Sequence, residues 1–132
     1  MDLNERRSLL VCIRNPDIKL DYVTSITGQL TNSRLGGSSF VNLNYVPDKT
    51  TLKPDSFGRY LGAIGDLEWG TLEEVAVAVI NDVNNELVAR WLQLSISAPN
   101  HAHYGIDRHE VMLEDRQPNW DNKGLLSRLK LV

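Results

Sequence analysis

Gly70-Thr71-Leu72-Glu73-Glu74-Val75-Ala76-Val77-Ala78-Val79-Ile80-Asn81-Asp82-Val83-Asn84-Asn85-Glu86-Leu87 lies in the middle of a 132-residue chain. Val75, Val79, Val83 and Leu87 recur every four residues and make one apolar stripe, while Glu73, Asn81, Asn84 and Asn85 suit solvated positions. Thr71 and Glu74 stand at capping-box spacing, so the spacing predicts a helix over Leu72 to Leu87, with its end falling between Asn85 and Arg90. Upstream, Phe57, Tyr60, Leu61 and Ile64 fall at i, i+3, i+4 and i+7 of another amphipathic helix. Asp55 or Ser56 is its expected cap, and Gly65-Asp66 its end.

On the far side, Trp91-Leu92-Gln93-Leu94-Ser95-Ile96-Ser97 alternates wide apolar with small polar side chains, as a strand with one buried face does. Tyr104 to Asp115, with Ile106, Val111, Met112 and Leu113, is the expected last strand, and Gly124 to Leu131 a short terminal helix. Ahead of the helices, Lys19 to Thr31 alternates with a two-residue period rich in β-branched side chains. Gly36-Gly37 supplies the positive φ angles of a reversal, and Ser39 to Val46 is the partner strand. The order ββααββ predicts an α+β domain, an antiparallel four-stranded sheet covered on one face by two helices. The other face, taken as apolar in content, and the unpaired edges predict closure into a homo-oligomeric barrel.

Composition sets bounds on partners. Hydrophobic residues at 42% and charged residues at 23% are ordinary globular values for one domain of this size. Seventeen acidic against fourteen basic residues, a net charge of -3, argue against a surface that tracks nucleic-acid phosphates. Cys12 is the single cysteine, which rules out an intrachain disulfide and a cysteine-based zinc cage. The apolar run Leu9 to Ile13 is too short for a membrane span or a signal segment, so an ordered N-terminal segment, no membrane partner and a cytoplasmic setting are expected.

Several segments resemble the 7-cyano-7-deazaguanine reductases of queuosine biosynthesis, within the tunnelling-fold superfamily that also holds GTP cyclohydrolase I. They are Tyr45-Val46-Pro47-Asp48-Lys49, Asp55-Ser56-Phe57-Gly58-Arg59-Tyr60-Leu61, Glu73-Glu74-Val75, Ile80-Asn81-Asp82-Val83 and Ala89-Arg90-Trp91-Leu92, in the family's order. The resemblance implies one tunnelling-fold domain over 1–132, with 1–17 as an N-terminal extension and 120–132 as a tail. It also implies purine or pterin ligands held between subunits of a homo-oligomer. The family's chemistry uses a cysteine that attacks a nitrile to give a thioimide, an aspartate that handles protons, and a His-Glu pair near the start of the second helix. Counted back from Tyr45, Leu30 takes the cysteine position and Gly37 the aspartate position. Leu72 stands at the histidine, and Lys53-Pro54-Asp55 replaces the family's Glu-Ser-Lys. The thioimide route is therefore expected to be lost, and NADPH is implied as a cofactor only where the family's activity is retained.

Glu73 aligns with the family's purine-anchoring glutamate, and a preceding loop longer by one residue leaves Glu74 as the alternative. A carboxylate suits the task because it accepts two hydrogen bonds from adjacent N–H donors on a guanine-like or pterin-like edge. Acids in a first helical turn are also favoured by the helix dipole whatever their function. Three histidines, His101, His103 and His109, fall close together, and a His-x-His on a strand would place two imidazoles on one face, as some metal sites require. Solvated loop histidines are the plainer expectation. Gly36-Gly37-Ser38-Ser39 lacks the Lys-Ser/Thr of a phosphate-binding loop and suits a hairpin turn. Glu114-Asp115-Arg116 suits a solvated charge cluster, and Trp69 and Trp120 suit interface anchors. Three functions remain open: a ligand-binding protein without nitrile-reductase activity, an enzyme transforming a purine or pterin with histidine and a metal, and a non-catalytic oligomeric scaffold.

Overall fold

The computed structural model describes residues 1–32, 35–99 and 102–129. Its elements in chain order are α1 (Leu3–Ser8), β1 (Cys12–Arg14), β2 (Thr24–Asn32), β3 (Gly37–Val46), β4 (Thr50–Leu52), α2 (Pro54–Gly65), α3 (Leu72–Leu87), β5 (Trp91–Ala98), β6 (His109–Arg116) and α4 (Lys123–Leu126). The ββααββ frame is present as β2, β3, α2, α3, β5 and β6. To it are added α1, α4 and a two-stranded ladder in which Cys12 of β1 faces Leu52 of β4.

The main sheet is antiparallel with the order β2-β3-β5-β6. Strand alternation divides its side chains between two faces. Leu30, Val41, Leu43, Tyr45, Leu92, Leu94 and Ile96 point to one face and are fully or almost fully buried. There they meet Phe57, Tyr60, Leu61 and Ile64 of α2 and Val75, Val79, Val83 and Leu87 of α3. Each such side chain contributes about 1.5–3 kcal/mol by leaving water, which is why the fourfold stripe of α3 fixes the helix against the sheet. At one end of this layer Gly65 lies so close to β2 that a Cβ there would stand 2.5 Å from the Thr31 carbonyl oxygen. Asn32 Nδ2 donates to the carbonyls of Gly65 and Leu67, both at 2.9 Å, and ties the end of α2 to the end of β2.

The opposite face differs from expectation. It is largely polar, with Ser25, Asn42, Asn44, Gln93 and Ser95 along its middle, and Ser25 Oγ donates to Asn44 Oδ1 at 2.5 Å. Phe40 and Met112 are exposed there at 49% and 43%. Strand alternation gave the right set of inward side chains, and the residues between them are mostly polar, with Phe40, Trp91 and Met112 as exceptions.

Three boundaries also shift. β2 starts at Thr24 rather than Lys19, because the backbone before it serves a different partner: Arg90 donates to the carbonyls of Leu20 at 3.2 Å and Ile18 at 2.5 Å, and to Asp21 Oδ1 at 2.9 Å. β6 starts at His109 rather than near Tyr104, since Ile106 N bonds back to His103 O and Gly105 adopts φ +76 in a turn. α2 has Lys53 at its N-cap without a side-chain cap, and Ser56 Oγ turns back onto the Lys53 carbonyl at 2.7 Å. Gly36 and Gly37 carry φ +90 and +101 as the reversal requires, while α4 is shorter than the expected terminal helix.

Candidate functional site at the start of α3

α3 begins at the predicted residue. Thr71 Oγ1 accepts from Glu74 N at 3.1 Å, and the Glu74 carboxylate accepts from Gly70 N at 3.1 Å. Glu74 is thereby committed to closing the helix start. Leu72 is 2% exposed and belongs to the core, so the helix turns the next side chain, Glu73, outward.

Glu73 has a partner far away in sequence. His109, the first residue of β6, donates from Nε2 to Glu73 Oε1 at 2.8 Å. Both side chains keep access to solvent, at 32% for His109 and 58% for Glu73. His109 faces the helices because it shares strand parity with Val111 and Leu113, which pack against the core. His103, in the turn before β6, brings its ring centroid within 5.7 Å of that of His109. A carboxylate, an imidazole and a second imidazole thus meet at the open edge of the sheet. The carboxylate holds the imidazole by one oxygen, and the pair offers an acceptor and a proton-carrying ring side by side.

The other sequence-derived positions lie elsewhere. Leu30 is 1% exposed inside the core, opposite Ser39 of β3, and Gly37 opens β3 opposite Asn32. Neither presents a reactive group. Ser39 Oγ is, among the described residues, the one buried side-chain polar atom without a hydrogen-bond partner. Cys12 sits in the β1–β4 ladder, and burial pushes its thiol above the ordinary value. His101 lies outside the described residues. His103 occupies a turn and not a strand, so the alternation argument for His-x-His does not apply. Among the described residues no group of three or more His, Cys, Asp or Glu side chains is placed to hold a metal ion.

A buried ionic cluster went unread in the sequence. Asp82, 0% exposed, accepts from Arg6 Nε at 2.6 Å, Arg7 Nε at 2.9 Å and Tyr60 Oη at 2.5 Å. Burial, and then the Asp82 carboxylate, push the Tyr60 hydroxyl well above its ordinary range, and the same carboxylate raises Arg6. Arg6 also lies over the Trp69 ring at 5.9 Å, and Trp69 Nε1 donates to Ile64 O at 2.7 Å. A charged residue in the middle of an apolar stripe was the available signal, since Asp is almost never fully buried unless paired.

Among solved structures, one similar to this chain is that of the archaeosine synthase QueF-Like in the apo form, with a TM-score of 0.54 and 18% identity over 71% of this chain and 91% of that one. The chain has a tunnelling fold. A putative dihydroneopterin aldolase (FolB) from Vibrio cholerae is also similar, with a TM-score of 0.40 and 13% identity over 82% of this chain and 97% of that one. No protein-family model matches the sequence, and no curated protein does. Within the tunnelling fold, Glu73 and His109 occupy the first turn of the second long helix and the start of an edge strand. No helix of the described residues is long and apolar enough to cross a membrane.

Proposed function

We propose that this tunnelling-fold protein binds a purine- or pterin-like ring through Glu73, at a boundary between two copies of the chain. The exposed Glu73 carboxylate, held by His109 at 2.8 Å on the open sheet edge, carries the reading. One carboxylate oxygen is steadied by the imidazole, and the second is left for the N–H edge of a ring. The family's histidine position is filled by the buried Leu72, and His109 supplies an imidazole to the same glutamate from β6. This pairing favours a second reading, in which His109 moves a proton to or from the bound ring.

The thioimide route has no support from the residues present. Leu30 and Gly37 bring no thiol and no carboxylate, so NADPH has no nitrile adduct to reduce and no step is assigned to it. The full-length protein is expected to show no NADPH-dependent reduction of 7-cyano-7-deazaguanine; turnover that disappears in Cys12→Ala would contradict this.

Glu73→Gln tests the anchor. The amide replaces one acceptor oxygen with a donor, and losing a charge-assisted hydrogen bond costs about 1.5–3 kcal/mol, or roughly ten- to a hundredfold in affinity. Calorimetric titration of wild type and variant with a panel of purines and pterins should show that loss. Melting temperature without ligand should move much less, because a first-turn acid contributes only about 0.3–1 kcal/mol through the dipole. Absence of binding by wild type, or equal binding by both proteins, would leave Glu73 as a helix-start acid and favour a scaffold role.

A further inference from the structure

The polar face of the sheet carries an open-mouthed cavity that the Glu73 site does not use. Its volume is about 340 Å³, and it lies between β5–β6 and the segment that follows β6. Trp91, Gln93, Glu114 and Arg116 of the sheet line one side, and Leu126, Ser127 and Leu129 of the following segment the other. Gln93 faces Glu114 and Trp91 faces Arg116 across the β5–β6 ladder, so the four side chains stand as one block on the face opposite the helices.

The charges of that block are settled internally. Trp91 Nε1 donates to Glu114 Oε1 at 2.9 Å, Arg116 Nε donates to the same oxygen at 2.9 Å, and Arg116 Nη2 joins it. Arg116 Nη1 lies 3.5 Å from Asp121 Oδ1. No cation is therefore left over for a phosphate or a carboxylate. Two polar groups remain without a close protein partner, Glu114 being 44% exposed. Glu114 Oε2 has no donor among the described residues. The Gln93 amide makes only long contacts, from Nε2 to Met112 Sδ at 3.6 Å and to Oε1 from Asn44 Nδ2 at 3.4 Å. Such contacts lie beyond the usual range of strong hydrogen bonds. An acceptor and an amide that gives and takes thus stand on neighbouring strands beside Leu126, Ser127 and Leu129.

We propose that this cavity binds a small, uncharged heteroaromatic base whose ring N–H meets Glu114 Oε2 and whose adjacent carbonyl meets the Gln93 amide, with the ring flanked by Trp91, Leu126 and Leu129. The volume lies at the low end for ligand sites, about 300–1,000 Å³, and suits one or two fused rings without a sugar phosphate. The site is complete within one copy of the chain and is independent of the Glu73 reading.

Titration of the isotopically labelled full-length protein with uracil and with hypoxanthine tests it, using the Trp91 indole N–H and the Gln93 side-chain amide as reporters in two-dimensional NMR. At least one base should give a saturable shift of both signals, and inosine 5′-monophosphate should not. Gln93→Leu should weaken binding about three- to tenfold for the loss of one neutral hydrogen bond. Leu126→Trp, which fills the cavity from its half-buried position, should abolish the shift while the rest of the spectrum stays folded. No saturable shift from either base, equal binding of the monophosphate, or undiminished binding by both variants would overturn the proposal.

Discussion

Val88 ends α3 in the left-handed region, with φ 47 and ψ 57, and its side chain is 56% exposed. A β-branched residue there is strained, because its Cβ crowds the following carbonyl at about 1–2 kcal/mol. Val88→Gly removes that strain but frees the unfolded chain by about 0.4–1 kcal/mol. The expected net is a gain of roughly 0.5–1 kcal/mol, visible as a higher urea midpoint with an unchanged slope; a lower midpoint would show that the Val88 side chain contributes more than its exposure suggests. Gly65 gives the opposite case at residue scale. A methyl group at Gly65 would push against the Thr31 carbonyl, a backbone atom that cannot swing aside, so Gly65→Ala should destabilise the domain by about 1–3 kcal/mol.

Among elements, α1 depends on charge more than on apolar burial. None of its residues is buried, and it reaches the domain through Arg6 and Arg7 on Asp82. Breaking a buried ion pair by removing one partner costs about 3–5 kcal/mol. Asp82→Ala should fall near the low end, since the two arginines are 19% and 22% exposed and can turn toward water. Hydrogen exchange should then show α1 opening faster than α3; equal protection of both would mean that Leu9 and Leu10 hold the segment without the ion pairs. β6 has its own electrostatic tie. Glu110 Oε2 accepts from Ser97 Oγ at 2.6 Å and from Arg108 Nη2 at 2.5 Å, and these bonds hold the Glu110 carboxyl below its ordinary 4.5. A depressed folded value means stability that is present above pH 4.5 and lost as pH falls through the folded value. The melting-temperature gap between wild type and Glu110→Gln should therefore narrow below pH 4.5, and a gap that stays constant through that range would remove Glu110 from the acid response.

At the scale of the whole molecule, β2 and β6 are the two outer strands of the main sheet, and both leave backbone donors and acceptors without a strand partner on one side. Edge-to-edge pairing of copies would satisfy them, and would place the Glu73–His109 pair beside a second chain. Sedimentation at micromolar concentration should accordingly report a species larger than 14.9 kDa. A monomer alone would remove the intersubunit wall from the proposed Glu73 site, while leaving the cavity under α4 intact.

Periodicity by itself determined the two long helices and the strands β3 and β5, and it located β2 and β6 with starts set too early. The fourfold stripe of α3 and the alternation of β3 and β5 report burial against a neighbour, and that information is local in sequence. Gly36-Gly37 likewise marked the reversal, because positive φ is a property of the residue. Tertiary structure alone decided the pairings: His109 with Glu73 at 2.8 Å, Asp82 with Arg6 and Arg7, Glu114 with Trp91. It also decided that the backbone before Thr24 serves Arg90 instead of a strand, and that the face opposite the helices is polar. A side chain's partner depends on which strands and helices become neighbours, and that is fixed by the packing of distant segments, not by the order of residues within any one of them.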